Sequence, residues 1–163
     1  MPLEEWFDNY QYETEYDIGE TGVKYLNSTA FAGNLGNVEL RYGHHRGSPE
    51  LRTLICEQYE ELDPDQICVT TGSSEANFAV VTSLVGGSDH MIVEHPNYPS
   101  LYEVPRSLGL DHDLFRLRYD QNFELDVARL EKLMKSNTKL VSLTHPNNPT
   151  GSVKARKSYV VCS

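Results

Sequence analysis

Positive charge is scarce in this chain. Its 163 residues hold 14 Lys and Arg against 24 Asp and Glu, for a formal net charge of −10. Arg41, Arg46, Arg52, Arg116 and Arg118 are scattered rather than laid in one stripe. Such a charge repels a phosphate backbone, so nucleic acid is not an expected partner. Long apolar runs are lacking too. No stretch approaches the roughly 20 residues that cross a bilayer, so no membrane span is expected. A hydrophobic content of 39% with 23% charged residues is that of a globular domain. Cysteine is sparse: Cys56, Cys68 and Cys162 form no CxxC pair, and their odd count argues against a disulfide framework. Six histidines include the pair His44-His45, but adjacent side chains on a regular element diverge. No second cluster has metal-ligand spacing, so no metal site is expected. No GxGxxG opens a helix after a strand, which removes the dinucleotide fingerprint. The acidic start Met1-Pro2-Leu3-Glu4-Glu5-Trp6 lacks the order of a secretory or transit signal, and a cytoplasmic location is the expectation.

What is present is a regular alternation of elements. Leu3, Trp6, Phe7 and Tyr10 fall at i, i+3, i+4 and i+7 and predict a short helix over residues 3 to 12, its apolar face packed on another surface. Residues 13 to 47 are rich in Gly, Asn and Thr, hold no steady period and read as an irregular arm. Ser48 is a good N-cap and Pro49 suits the first helical position. Leu51, Leu54, Ile55 and Tyr59 then keep helical spacing up to Asp63-Pro64. Beyond it we expect strands at Gln66 to Thr70, His90 to Glu94, residues 111 to 117 and Lys139 to Thr144. Helices are expected at Ser74 to Leu84, Pro99 to Leu108 with a possible kink at Pro105, and residues 126 to 135. This order predicts an α/β fold, a three-layer sandwich with a mainly parallel sheet, whose ligands gather beyond the C-terminal ends of the strands. The organisation is an N-terminal helix and arm (1–47), a core (48–151) and an atypical tail (152–163).

Three strand-to-helix or strand-to-turn segments carry candidate chemistry. Thr70-Thr71-Gly72-Ser73-Ser74-Glu75-Ala76 leads into a helix whose positive end favours an anion; Gly72 permits close approach, and Ser73 and Ser74 add amide and hydroxyl donors. A capped helix start without a ligand is the alternative. In Glu94-His95-Pro96-Asn97-Tyr98-Pro99-Ser100 a proline-flanked Tyr98 would be presented stiffly, to stack on a flat ring or to pack in the core. His145-Pro146-Asn147-Asn148-Pro149-Thr150-Gly151 follows the apolar run Leu140-Val141-Ser142-Leu143. The proline ring after Asn148 disfavours helical backbone there and aims its amide one way, unless the segment only reverses the chain.

Together these segments resemble the class I/II aminotransferases of fold type I, which use pyridoxal 5'-phosphate. The resemblance runs from Tyr42, Gly43, Gly47 and Pro49-Glu50-Leu51-Arg52 through Thr-x-Gly-x-x-Glu-Ala to Asn-Pro-Thr-Gly. It implies that Ser73 and Ser74, at the Gly72 turn, hold the cofactor phosphate, that Tyr98 stacks on the pyridine ring, and that Asn148 donates to the ring's phenolic oxygen. Tyr42 would reach the phosphate of the partner subunit, so a homodimer is implied. Arg52 reads as a structural ion-pair partner. His145 stands where the family has its first asparagine. Pro2-Leu3-Glu4-Glu5-Trp6 and Asp17-Ile18-Gly19-Glu20-Thr21-Gly22-Val23 are similar to the subgroup containing capreomycidine synthase.

The family's chemistry also needs a lysine bound to the cofactor and an acid on the pyridine nitrogen, both downstream of Asn-Pro-Thr-Gly. Lys24, Lys132, Lys135, Lys139, Lys154 and Lys157 do not sit in such a setting, so no catalytic residue is expected in this chain. The run after Gly151 departs from the family pattern and reads as truncated or frame-shifted. The resemblance thus implies the N-terminal part of an enzyme acting on an amino acid/keto acid pair, with part of the cofactor pocket and no activity alone. A non-catalytic dimerising or regulatory fragment, and a lyase or cyclase of the same fold, are the alternatives.

Overall fold

The computed structural model describes residues 2–16, 18, 19, 22, 26–31 and 42–154. Lys24, Arg41, Lys157, Cys162, most of the arm and the tail beyond 154 therefore lie outside the described residues. The chain divides into two compact units, Met1–Thr70 and Thr71–Ser163.

In the first unit, α1 (Pro2–Tyr10) carries Trp6 with its ring 5.4 Å from Phe7 and 5.5 Å from Tyr10. A short 3-10 turn covers Ser28–Phe31. The helix α2 (Pro49–Cys56) begins as its cap requires, the Ser48 hydroxyl accepting from the Leu51 amide at 3.2 Å. It stops well before the expected Asp63. Beyond Glu57 the amides of Gln58 and Tyr59 reach back only three residues, to Ile55 and Cys56, so the helix tightens into turns. Asp63 and Gln66 then form a reciprocal capping box over a 3-10 turn at Pro64–Gln66. Arg46 and Arg52 both meet Asp65 at 3.1 Å, so Arg52 makes the structural ion pair expected of it.

The strand expected at Gln66 to Thr70 is not formed. Gln66 belongs to the 3-10 turn, and residues 67 to 70 pair with no strand among the described residues. The Val69 amide donates to the Arg46 carbonyl at 3.0 Å. Alternating Ile67 and Val69 supply strand propensity, but propensity alone does not make a ladder. Gly47 is required at that approach: its φ is +92°, and a Cβ there would lie 2.5 Å from the Val69 side chain.

The second unit is the α/β body. Its elements are α3 (Ser73–Leu84), β1 (His90–His95), α4 (Pro99–Ser107), β2 (Asp111–Arg116), α5 (Val127–Glu131) and β3 (Thr138–Ser142). The three strands are parallel in the order β2-β1-β3. In β1 every residue from His90 to Glu94 is buried, as the central strand of a parallel sheet demands. Successive side chains point to opposite faces and feed two cores. Met91 and Val93 join Val81 and Val85 of the α3 region, with Leu101 and Val104 of α4, Leu114 and Leu140 packed around them. Ile92 joins Phe115, Leu117 and Leu130 of α5, with Val141 alongside. Helices therefore cover both faces, giving the three layers expected.

The helix α5 is shorter than the expected run to 135. Asp126 caps it by accepting from the Arg129 amide at 3.0 Å, but the Leu133 and Met134 amides again reach back three residues, to Leu130 and Glu131. His90, fully buried, is held between the Thr138 hydroxyl at 2.8 Å and the Asp113 carboxylate at 3.2 Å, which ties the lower ends of all three strands.

Candidate functional site

The loops that leave the C-terminal ends of β1 and β3 stand side by side, because both strands run parallel and adjacent. Between them and the start of α3 lies a cleft of about 630 Å³, running along β3. Its walls include Ser73 and Asn77 of α3, Tyr98, and Thr144, His145 and Asn148 after β3. Three of the expected site residues, from three separate segments, thus come together within one unit.

The other three are placed differently. Ser74 lies in the exposed first turn of α3 and is not a wall of the cleft. Gly72 is the N-cap residue of α3, with φ +81° and ψ 168°, a backbone that L side chains rarely adopt. The space before it is open, since an added Cβ would meet nothing within 4 Å. The first amides of α3 point into that space, because no residue upstream in the helix exists to accept them. Tyr42 belongs to the first unit, where its side chain is fully exposed.

Tyr98 is the N-cap residue of α4, in extended backbone, with Pro99 opening the helix. Pro99 and Ser100 are buried, and the Ser100 hydroxyl accepts from the Asn77 side-chain amide at 3.0 Å, which fixes α4 to α3 below the cleft. Tyr102, one turn on, packs against the core and edge-on to His95 at 5.6 Å. His95 is held below the ordinary histidine range by burial first and by the Arg116 charge second.

The asparagines 147 and 148 divide their work. Asn147, 3% exposed, spends its whole carboxamide on the protein: Nδ2 donates to Glu94 Oε2 at 3.0 Å and to the Pro96 carbonyl at 3.2 Å, and Oδ1 accepts from the Thr150 amide and hydroxyl. The Asn148 side chain lines the cleft, half-buried, and makes no hydrogen bond among the described residues. The peptide bonds before Pro146 and Pro149 are cis.

Sequence reasoning missed the polar floor of the site. Glu94, fully buried, accepts from the Thr144 amide at 3.0 Å and pairs with Lys154 Nζ at 2.8 Å; Lys154 also donates to the Thr144 carbonyl at 2.5 Å. An acid closing the apolar run Met91-Ile92-Val93 was the available signal, since a carboxylate there must find a buried partner. Lys154, in the stretch read as an atypical tail, is that partner. No lysine lines the cleft among the described residues: Lys154 faces Glu94, and Lys135 pairs with Asp111 and Asp113.

The family model for aminotransferase class I and II matches residues 23–160. An aspartate aminotransferase of Thermotoga maritima is 32% identical over 124 residues, covering 73% of this chain and 33% of its own. Capreomycidine synthase of Streptomyces vinaceus is 27% identical over 160 residues, covering 93% of this chain and 41% of its own. Among solved structures, a PLP-dependent aminotransferase from Streptococcus suis superposes with a TM-score of 0.85 at 31% identity, covering 96% of this chain and 45% of that one. The chain thus spans under half the length of each of these proteins. A match of that extent, on a parallel sheet with helices on both faces, means that the chain belongs to the class I and II aminotransferases, with the fold of the PLP-dependent enzymes.

Proposed function

We propose that this chain supplies one part of a pyridoxal 5'-phosphate site in a protein that exchanges amino groups between an amino acid and a keto acid. The observation that carries the reading is the convergence of Ser73, Tyr98 and Asn148 on one cleft. The residues fit the group. An anion suits the open space at the start of α3, where helix amides and the macrodipole face outward. A half-buried phenol ring suits a flat heterocycle. Asn148, with no hydrogen bond among the described residues, has both a donor and an acceptor to give.

In this reading the Gly72 turn, Ser73 and Ser74 hold the phosphate, Tyr98 bears the ring, and Asn148 donates to the ring's hydroxyl oxygen. Tyr42 completes the phosphate site of a second subunit. When bound, the cofactor supplies a carbonyl that takes up an amino group and a pyridine ring that withdraws electrons. The chain's own residues bind and orient; none in the cleft is placed to move a proton as a lysine would. The lysine-free cleft supports a further part of the reading, that the chain alone binds the cofactor reversibly and does not turn over. It also favours the second reading, in which the chain acts as a dimerising or regulatory fragment beside an intact homologue. The homodimer belongs to the proposal on the resemblance alone.

Titration of pyridoxal 5'-phosphate into the purified chain, followed by ligand absorbance, tests it. Saturable binding is expected, weakened about tenfold by Asn148→Ala, the equivalent of one hydrogen bond to a ligand. Borohydride reduction followed by peptide mass mapping should find no cofactor-linked lysine in residues 71 to 154. Binding that is absent, or indifferent to substitution at Ser73, Tyr98 and Asn148 alike, would overturn the proposal. Co-purification with an intact homologue would favour the second reading.

A further inference from the structure

In each of the two cleft loops a buried asparagine precedes the residue that faces the cleft. Asn97, 6% exposed, precedes Tyr98, and Asn147 precedes Asn148. In an extended segment consecutive side chains point to opposite sides, so an outward residue leaves its predecessor turned inward. Each inward carboxamide crosses to the other loop. Asn97 Oδ1 accepts from the Thr144 hydroxyl at 2.8 Å, and from the Tyr98 amide at 2.8 Å. Asn147 Nδ2 donates to the Pro96 carbonyl and to Glu94. Glu94 Oε2 takes both the Asn147 side chain and the Thr144 amide at 3.0 Å, while Lys154 balances its charge through Oε1. The partners are 47 to 53 residues apart in sequence, so these bonds join loops rather than close turns.

We propose that Asn97 and Asn147 form a reciprocal clasp that sets the spacing between Tyr98 and Asn148, and are positioning residues for the planar ring those two would hold. The inference rests on the cofactor reading above. A buried carboxamide that loses its partner bears the full desolvation penalty, so each bond resists the parting of the loops. Two cleft residues held in advance lose little freedom when a ligand arrives, which is how inward neighbours act on affinity without touching the ligand.

Two measurements on the 163-residue chain test the clasp and its role separately. Amide hydrogen exchange without ligand reads the clasp. Asn97→Ala should speed exchange across residues 144 to 151, and Asn147→Ala across residues 95 to 98, each in the loop opposite the substitution. Thr144→Val, which removes a hydroxyl and nearly keeps the volume, should loosen the Tyr98 loop alike and guards against a variant that does not fold. Loosening confined to the substituted loop overturns the clasp, whatever the chain binds.

Titration with pyridoxal 5'-phosphate reads the positioning role. Asn147→Ala should weaken binding about tenfold in the native background and change nothing further in Asn148→Ala, because a positioning residue acts through the residue it positions. Equal losses in both backgrounds overturn that role and leave only a structural one. If the native chain binds no pyridoxal phosphate while opposite-loop exchange changes as expected, the clasp stands, and the role toward the ring falls with the cofactor reading.

Discussion

From Thr71 onward the described residues bury eight hydrophobic side chains between helices and a parallel sheet, whereas those before it bury none. Leu51, Leu54 and Tyr59 follow helical spacing no less well than Leu130 and Leu133, yet they stay 42%, 56% and 61% exposed. Periodicity therefore predicts which face a helix would bury, and a second surface decides whether it does so. Among its described residues the first unit shows local bonds, the Ser48 cap, the Asp63 capping box and the Arg46 and Arg52 pairs to Asp65. Apolar burial, at about 25 cal/mol per Å², holds the second.

The contrast can be broken by substitution, with urea unfolding as the measurement. Phe115→Ala, in the core beneath α5, should cost about 3–5 kcal/mol, whereas Leu54→Ala should stay within about 0.5. Equal losses would contradict the contrast. Glu94→Ala should also cost about 3–5 kcal/mol, because it leaves the Lys154 ammonium buried without its counter-charge. The double variant Glu94→Ala with Lys154→Met should recover much of that loss.

Helix caps sharpen the comparison on a smaller scale. Asp126→Ala removes the cap of a helix that packs on the sheet and should cost about 1 kcal/mol. The same change at Ser48 should leave the main unfolding transition unmoved and show only as faster exchange in α2. The smallest effect is one of pH. His95 has a folded-state pKa below its ordinary value, so the unfolded chain binds the proton more readily. Its contribution to stability is full above a pH of about 6.5 and declines as pH falls toward the folded-state value. His95→Gln should flatten the stability curve in that window, and a steeper slope in the variant would contradict the assignment.

Helix starts and central strands were legible in the sequence because their causes are local. Ser48-Pro49 and Tyr98-Pro99 open helices where the proline is tolerated, and the apolar run through Met91-Ile92-Val93 is the buried central strand. The ends of α3 and α4 fell where expected, but those of α2 and α5 did not, since both stop where amides begin to reach back three residues, a choice no side-chain period records. The strand expected at Gln66 to Thr70 is not formed, and Gln66 instead closes the 3-10 turn that Asp63 caps. At the site, Tyr98 and Asn148 could be found because each follows a strand and abuts a proline, and Ser73 because it opens a helix after Gly72. Asn97, Asn147 and Glu94 could not, because an inward carboxamide or carboxylate shows its purpose only when its partner about 50 residues away is in place.

Among the described residues the sheet has two flanks, and they are unequally guarded. On β2, Asp111, Asp113 and Arg116 put charge along the margin, while β3 offers Lys139 alone beside Leu140 and Val141. An unguarded flank is a template on which another copy's backbone can add, and charge is the usual deterrent. Crowded preparations of this chain should therefore grow by strand addition at β3, and the single lysine there is what slows them.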